Sequence, residues 1–321
     1  MTTSTLTTTR SGPVALSIYL PAGDIRVIAD PSRTLAEITV TAHGQDPAVH
    51  DAVRDADLRS EDSTGALTVA VHPPAGGAII VGGTQTITGN TASTIVQSFG
   101  DIPAGVTVTG AVLNGNGMVS IGGGRVTVNG VEVTGGTVPG GRVQITARVP
   151  EGTTVAAHTR SASLECAGEV AAVDFTSTSG DLYVGGVGAL RATTTSGDIR
   201  AAVVDGAAVA RSVSGDVYLG RADDVTASTT SGDVTVNDFA GRAEVATVSG
   251  DVRVRAAEGG AVTARSVSGD VTVTATGTAL AEGLAVSATS RAGRVTTPTD
   301  NPLGTAPAAR ARRPRRTNGV A

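Results

Sequence analysis

The chain has 321 residues, with 24 basic against 29 acidic side chains and a formal net charge of −5. Aromatics make up only 2%, Trp is absent and Gly numbers 43, so the core must come from Val, Ala, Ile and Leu on a turn-rich, all-β chain. The single cysteine, Cys166, excludes an intramolecular disulfide framework, and no apolar run approaches the roughly 20 residues that a membrane helix needs.

Residues 1–13 lack the charged segment and apolar stretch of an export signal. The expectation is a flexible N-terminus on a cytoplasmic protein, with a peripheral membrane position left open. Residues 14–75 form an N-terminal β-region, sandwich-like or a sheet. "VALSIYLPAGDIRVIAD" alternates around the turn Pro21-Ala22-Gly23-Asp24, and "LAEITVTAHG" supplies a further strand. "DPAVHDAVRDADL" predicts a short helix after Asp46, with Pro47 at a first helical position, and "DLRSEDSTGALTVAV" reads as a hairpin. Residues 76–141 hold 18 glycines, and "VTVNGVEV" (126–133) predicts a hairpin through Asn129-Gly130 within this Gly-rich insertion.

Residues 142–297 repeat. Ser-Gly-Asp begins at Ser179, Ser196, Ser214, Ser231, Ser249 and Ser268, at intervals of 17, 18, 17, 18 and 19 residues. Six before each serine stand Val173, Leu190, Ala208, Val225, Ala243 and Val262, and two before it stand only hydroxyls, Ser177, Thr194, Ser212, Thr229, Thr247 and Ser266. Directly after each aspartate come Leu182, Ile199, Val217, Val234, Val252 and Val271. This alternation predicts strands with one buried face, and its change of phase at Gly-Asp predicts a corner there, using glycine's backbone freedom. The segments between strands, 5, 6, 5, 6 and 7 residues long, carry all the length variation and read as surface loops.

A unit this short cannot close its own core, but stacked copies can. The fold class is therefore all-β, a parallel β-solenoid of coils of 17–19 residues. "SASLEC" (161–166) and "SRAGRV" (290–295) are degenerate first and last coils, and the buried hydroxyls are expected to bond one another. From Pro298 the pattern ends in a tail, 298–321, with Arg310, Arg312, Arg313, Arg315 and Arg316 against Asp300 alone, and disorder is expected there.

"PAGDIRV", "VQITARVPEGTTV" and the run "TSGDL", "TSGDI", "VSGDV", "TSGDV" resemble the bacterial β-strand-repeat family labelled putative adhesin, also called the toastrack domain, a domain of unknown function. The resemblance spans about residues 14–297 and implies a β-strand-repeat fold. It also implies a scaffold for membrane-associated assemblies near envelope-stress, phage-shock-like systems.

The aspartate column, Asp181, Asp198, Asp216, Asp233, Asp251 and Asp270, is the sharpest chemical candidate. Carboxylates stacked about 4.8 Å apart could take a hard cation, but turn residues bonding their own backbone are the stronger reading. The outward column after each turn places Tyr183, Arg200, Tyr218 and Arg253 as partner-surface candidates, since Tyr and Arg are common binding anchors. His43, His50, His72 and His158 share no ligand spacing, and Cys166 falls on a core position as an inert thiol. Short loops cannot wall a substrate groove, so no catalytic residue, cofactor or metal is assigned. The expectation is a non-catalytic scaffold with an unidentified protein partner, as a monomer or small homo-oligomer. Its arginine tail offers weak contact to anionic lipid or nucleic acid. A surface adhesin or, further off, a carbohydrate-active β-helix enzyme are the alternatives.

Overall fold

The computed structural model describes residues 2–61, 63–72 and 141–298, together with the backbone of four short strands between 112 and 133. The first part runs β1 (Thr3–Thr7), β2 (Ala15–Leu20), β3 (Asp24–Asp30), β4 (Glu37–Gly44), α1 (Pro47–Arg54), β5 (Asp57–Glu61) and β6 (Ala66–Ala70). β7 (Val112–Asn114), β8 (Gly117–Gly122), β9 (Arg125–Val128) and β10 (Val131–Val133) make a separate antiparallel sheet. β9 and β10 pair as the hairpin expected there, Val131 opposite Val128. The repeat region supplies β11 (Gly141–Pro150), β12 (Thr154–Thr159), β13 (Ser163–Thr176), β14 (Leu182–Thr193), β15 (Ile199–Arg211), β16 (Val217–Ser228), β17 (Val234–Ala246) and β18 (Val252–Ser266). It closes with β19 (Val271–Ala275), α2 (Gly277–Ala281), β20 (Ala285–Ser290) and β21 (Val295–Thr296).

One sheet of 17 strands contains β1–β6 and β11–β21. Each of β13 to β18 is long and bent, its two ends lying on different walls of the coil. One wall stacks β4, β11, β3 and the leading halves of β13 to β18, ending in β19 and β21. The other stacks β5, β6, β2, β12 and the trailing halves, ending in β20. The core lies between the walls, and both predicted apolar columns point into it: Val234 and Ala243, for example, are buried. The described residues thus form a parallel β-solenoid.

The N-terminal β-region is part of the same sheet, not a second sandwich. β2, the turn Pro21–Asp24 and β3 make a coil of their own, with Leu20 in register with Thr159 and Asp24 with Ser163. β1, in the stretch expected to be flexible, pairs antiparallel with β4. The helix forms where expected: Asp46 Oδ1 accepts the Ala48 N–H at 2.9 Å, Pro47 opens the first turn, and Val49, Ala52 and Val53 are buried. β5 and β6 form the predicted hairpin.

Two expectations about the coil are corrected. The segments read as surface loops are continuous strand, and the length variation appears as register shifts, for example between Val187 and Leu190 and between Ala222 and Asp224. In a stack, a corner's backbone groups meet those of the next coil, so the corner is hydrogen-bonded and extra residues become bulges. These corners add a third core column, Val170, Val187, Val204, Ala222, Phe239, Ala256 and Ala275, all buried and in register. The glycines of Ser-Gly-Asp are needed for space, not for φ, since none of them has positive φ. A Cβ on any of the six would lie 1.9 to 2.2 Å from the carbonyl oxygen of the preceding coil, for example 1.9 Å from Gly232 O at Gly250.

Candidate functional site

The corner at Ser-Gly-Asp is built from two ladders. In the inner one, the hydroxyl two residues before the serine accepts the glycine N–H of its own turn: Gly215 N–H to Ser212 Oγ is 2.8 Å and Gly250 N–H to Thr247 Oγ1 is 3.2 Å. The same hydroxyl donates to the glycine carbonyl of the coil before, as Thr229 does to Gly215 O at 3.1 Å and Thr247 to Gly232 O at 3.0 Å. The expected hydroxyl-to-hydroxyl chain is therefore replaced by hydroxyl-to-backbone bonds. The exception is at the first coil, where Thr159 donates to Ser177 Oγ at 2.8 Å. A hydroxyl can serve both partners because it carries a donor and two lone pairs.

The outer ladder is the aspartate column. Asp181 Oδ1 accepts the Asp198 N–H at 2.9 Å, Asp198 Oδ1 that of Asp216 at 2.9 Å, and Asp216 Oδ1 that of Asp233 at 2.8 Å. Asp233 serves Asp251 and Asp251 serves Asp270, each at 2.8 Å. The expected bond to the turn's own backbone is thus corrected: each carboxylate ties its coil to the next. The ladder begins on Ser163, whose Oγ accepts the Asp181 N–H at 3.2 Å. It ends at Arg294, whose N–H goes to Asp270 Oδ1 at 2.8 Å and whose side chain offers no acceptor. Among the described residues no group of His, Cys, Asp and Glu is placed to hold a metal ion.

Beside this column, on the outer face of the leading wall, the register stacks Glu165, Tyr183, Arg200, Tyr218, Thr235, Arg253 and Thr272 on successive coils. All four sequence-predicted partner residues therefore lie in one column. Tyr183 and Tyr218 are 41% and 40% exposed, among the most exposed large hydrophobic side chains described. Arg200 sits with its Cζ 5.6 Å from the Tyr183 ring centre, donates to Tyr183 Oη at 3.2 Å, and donates to Asp198 Oδ2 at 2.8 Å. Arg253 bridges Asp233 Oδ2 at 3.1 Å and Asp251 Oδ2 at 2.6 Å. Arg200 and Arg253 are thus paired with the ladder's outer oxygens.

Sequence reasoning did not find the open groove of about 480 Å³ on the outer face of the other wall. Small side chains line it, including Ala15, Ala66, Ala156, Ala172, Ala189 and Ala207, with Asp174 and Arg191 at its side. Its strands come from separate parts of the chain, so no local sequence signal marks it. Cys166 is buried, and burial followed by the charge of Glu165 pushes its thiol up to about 12. Three of the histidines have partners of their own: His50 Nδ1 is 2.7 Å from Thr2 Oγ1, His43 Nε2 is 2.9 Å from Gln144 Oε1, and the His72 ring lies 5.5 Å from that of Tyr19. The tail arginines 310, 312, 313, 315 and 316, most of the Gly-rich stretch 76–141, and its predicted turn Asn129-Gly130 lie outside the described residues. Among the described residues no helix is long and apolar enough to cross a membrane.

No curated protein matches the chain. Among solved structures it is similar to a putative adhesin from Parabacteroides merdae, at 10% identity and a TM-score of 0.48, covering 92% of this chain and 95% of that one. A putative adhesin from Parabacteroides distasonis follows at 9% identity and a TM-score of 0.41, covering 92% and 95%. One from Bacteroides fragilis has 13% identity and a TM-score of 0.31, covering 92% and 96%. The profile of the Toastrack DUF4097 family matches residues 14–306, which takes in the N-terminal coil as well as every Ser-Gly-Asp coil, and the chain belongs to that family.

Proposed function

We propose that the protein is a non-catalytic β-solenoid scaffold whose leading wall, along the column from Tyr183 to Arg253, is its partner surface. The observation that carries this reading is the use of the repeated aspartates. They bond the next coil's backbone, so the most regular chemical feature of the sequence holds the stack together. What the stack then displays is a stiff row of tyrosine and arginine, the residue types that anchor interfaces. The family resemblance adds a setting for such a scaffold, an assembly tied to envelope stress. The tail arginines would supply salt-sensitive contact to anionic lipid there.

The test is a photo-crosslinking residue placed at Thr235, on the column, and in a second variant at Thr226, on the other wall, each expressed in the native host. Discrete crosslinked species from position 235 and not from 226 support the reading. Equal yields from both walls, or none from either, contradict it.

A further inference from the structure

Tyr183 and Tyr218 are two coils apart on one wall, which sets their Cα atoms about 10 Å apart at the strand spacing of a sheet. Both rings are about two-fifths exposed, Arg200 lies with its Cζ 5.6 Å from the Tyr183 ring centre, and each hydroxyl has a side-chain partner. Arg200 holds Tyr183 through its hydroxyl, and Asn237 Nδ2 donates to Tyr218 Oη at 2.5 Å. The side-chain entropy that binding would cost is thereby reduced before any ligand arrives. Two residues beyond each tyrosine, on the same outer face, stands a glycine, Gly185 or Gly220, with Ala202 between them. Gly220 is explained by packing, since a Cβ there would meet Ala202 O at 2.4 Å. Gly185 is not: the nearest atom to a Cβ would be 3.6 Å away, an ordinary contact. The smoothness of the face beside Tyr183 is therefore not dictated by the coil. It leaves a strip one side chain deep beside the two rings.

The charges exclude a polyanionic occupant. Arg200 is held by Asp198, and Arg253 by Asp233 and Asp251, while Asp181 and Asp216 add negative charge to the same strip. A phosphate or sulfate polymer would meet more carboxylate than guanidinium. A sugar ring offers an apolar C–H face to a tyrosine and hydroxyls to the flanking Asp, Asn and Thr, and asks for no net charge. Deepening the partner-surface reading, on which it rests, we infer that the Tyr183–Tyr218 strip binds an uncharged, extended polysaccharide. The chain would run along the solenoid axis with rings stacked on the two tyrosines.

The experiment is native affinity electrophoresis of the full chain in gels containing hydroxyethylcellulose, dextran or heparin. The expected result is retardation by hydroxyethylcellulose and not by heparin. Tyr183→Ala and Tyr218→Ala should each weaken it at least tenfold. Gly185→Gln should weaken it similarly, with the wild-type melting temperature retained, which separates a blocked strip from a damaged fold. No retardation by either neutral polymer, equal retardation of wild type and both tyrosine variants, or retardation by heparin that the tyrosine variants abolish would each overturn the inference. Crosslinks from position 235 in a protein that no neutral polymer retards would remove the polysaccharide and leave the scaffold reading standing.

Discussion

Asp198 Oδ1 accepts the backbone N–H of Asp216 at 2.9 Å, across 18 residues of sequence and one coil of the stack. The same bond recurs at every Ser-Gly-Asp step, so a side chain performs between coils what main-chain carbonyls perform along the strands. Replacing Asp216 separates its roles. Asp216→Asn keeps an oxygen acceptor for the Asp233 N–H and should cost well under 1 kcal/mol. Asp216→Ala removes the acceptor at a partly solvated site and should cost about 1 kcal/mol. Urea melts of the three proteins check this. Calcium or EDTA should move none of the midpoints, because a ligand of the native state alone would stabilise it.

The register predicts opposite outcomes for neighbours. Val234 is fully buried and Thr235 faces outward, half-buried. Val234→Asp places an unpaired charge between coils and should cost several kcal/mol, on the order of 3 or more. Thr235→Asp lies beside Arg253 in register and should stay within about 0.5 kcal/mol of wild type. Thermal melts distinguish them, and equal shifts would contradict the assigned faces.

Phe239 tests the third core column. It is fully buried at a corner between Ala222 and Ala256, so Phe239→Ala should leave a cavity and cost about 3 to 5 kcal/mol. A loop residue would cost far less than that in the same denaturant titration.

The glycines divide by space. Gly250→Ala drives a methyl to within 1.9 Å of Gly232 O and should prevent stacking at that coil, seen as loss of soluble folded protein. Gly185→Ala meets nothing closer than 3.6 Å and should leave the melting temperature within a degree or two.

Cys166 gives a pH signature. Its thiol is held up to about 12 in the fold, against an ordinary value of 9.0. Well below pH 9 both states are protonated and the residue leaves stability unchanged. Between about 9 and 12 only the unfolded chain loses the proton, so stability falls as pH rises. At pH 8 a thiol reagent should label Cys166 at the rate of global unfolding, and fast labelling of native protein would contradict its burial.

How much of this could be read from the sequence depends on the distance over which each signal acts. The period-2 columns through Val234 and Ala243 are local, and they placed the strands and the outward Tyr183 column correctly. Phe239 escaped because the bulges on either side of it break the alternation, so its phase shows only once neighbouring coils are stacked. Asp24 escaped as a coil member because its register partner, Ser163, lies far along the chain, beyond the Gly-rich segment. The residue type in Asp216 suggested a turn bonding itself, and only the stack shows that its acceptor belongs to the next coil.

The ladder is most directly tested by amide hydrogen exchange, residue by residue, on wild type and Asp216→Ala. The account predicts that the Asp233 amide loses protection selectively, while the amide of residue 216, held by Asp198, keeps its own. Unchanged protection at Asp233, or a loss confined to residue 216's own turn, would show that the carboxylates serve their own corners and that the coils are joined without them.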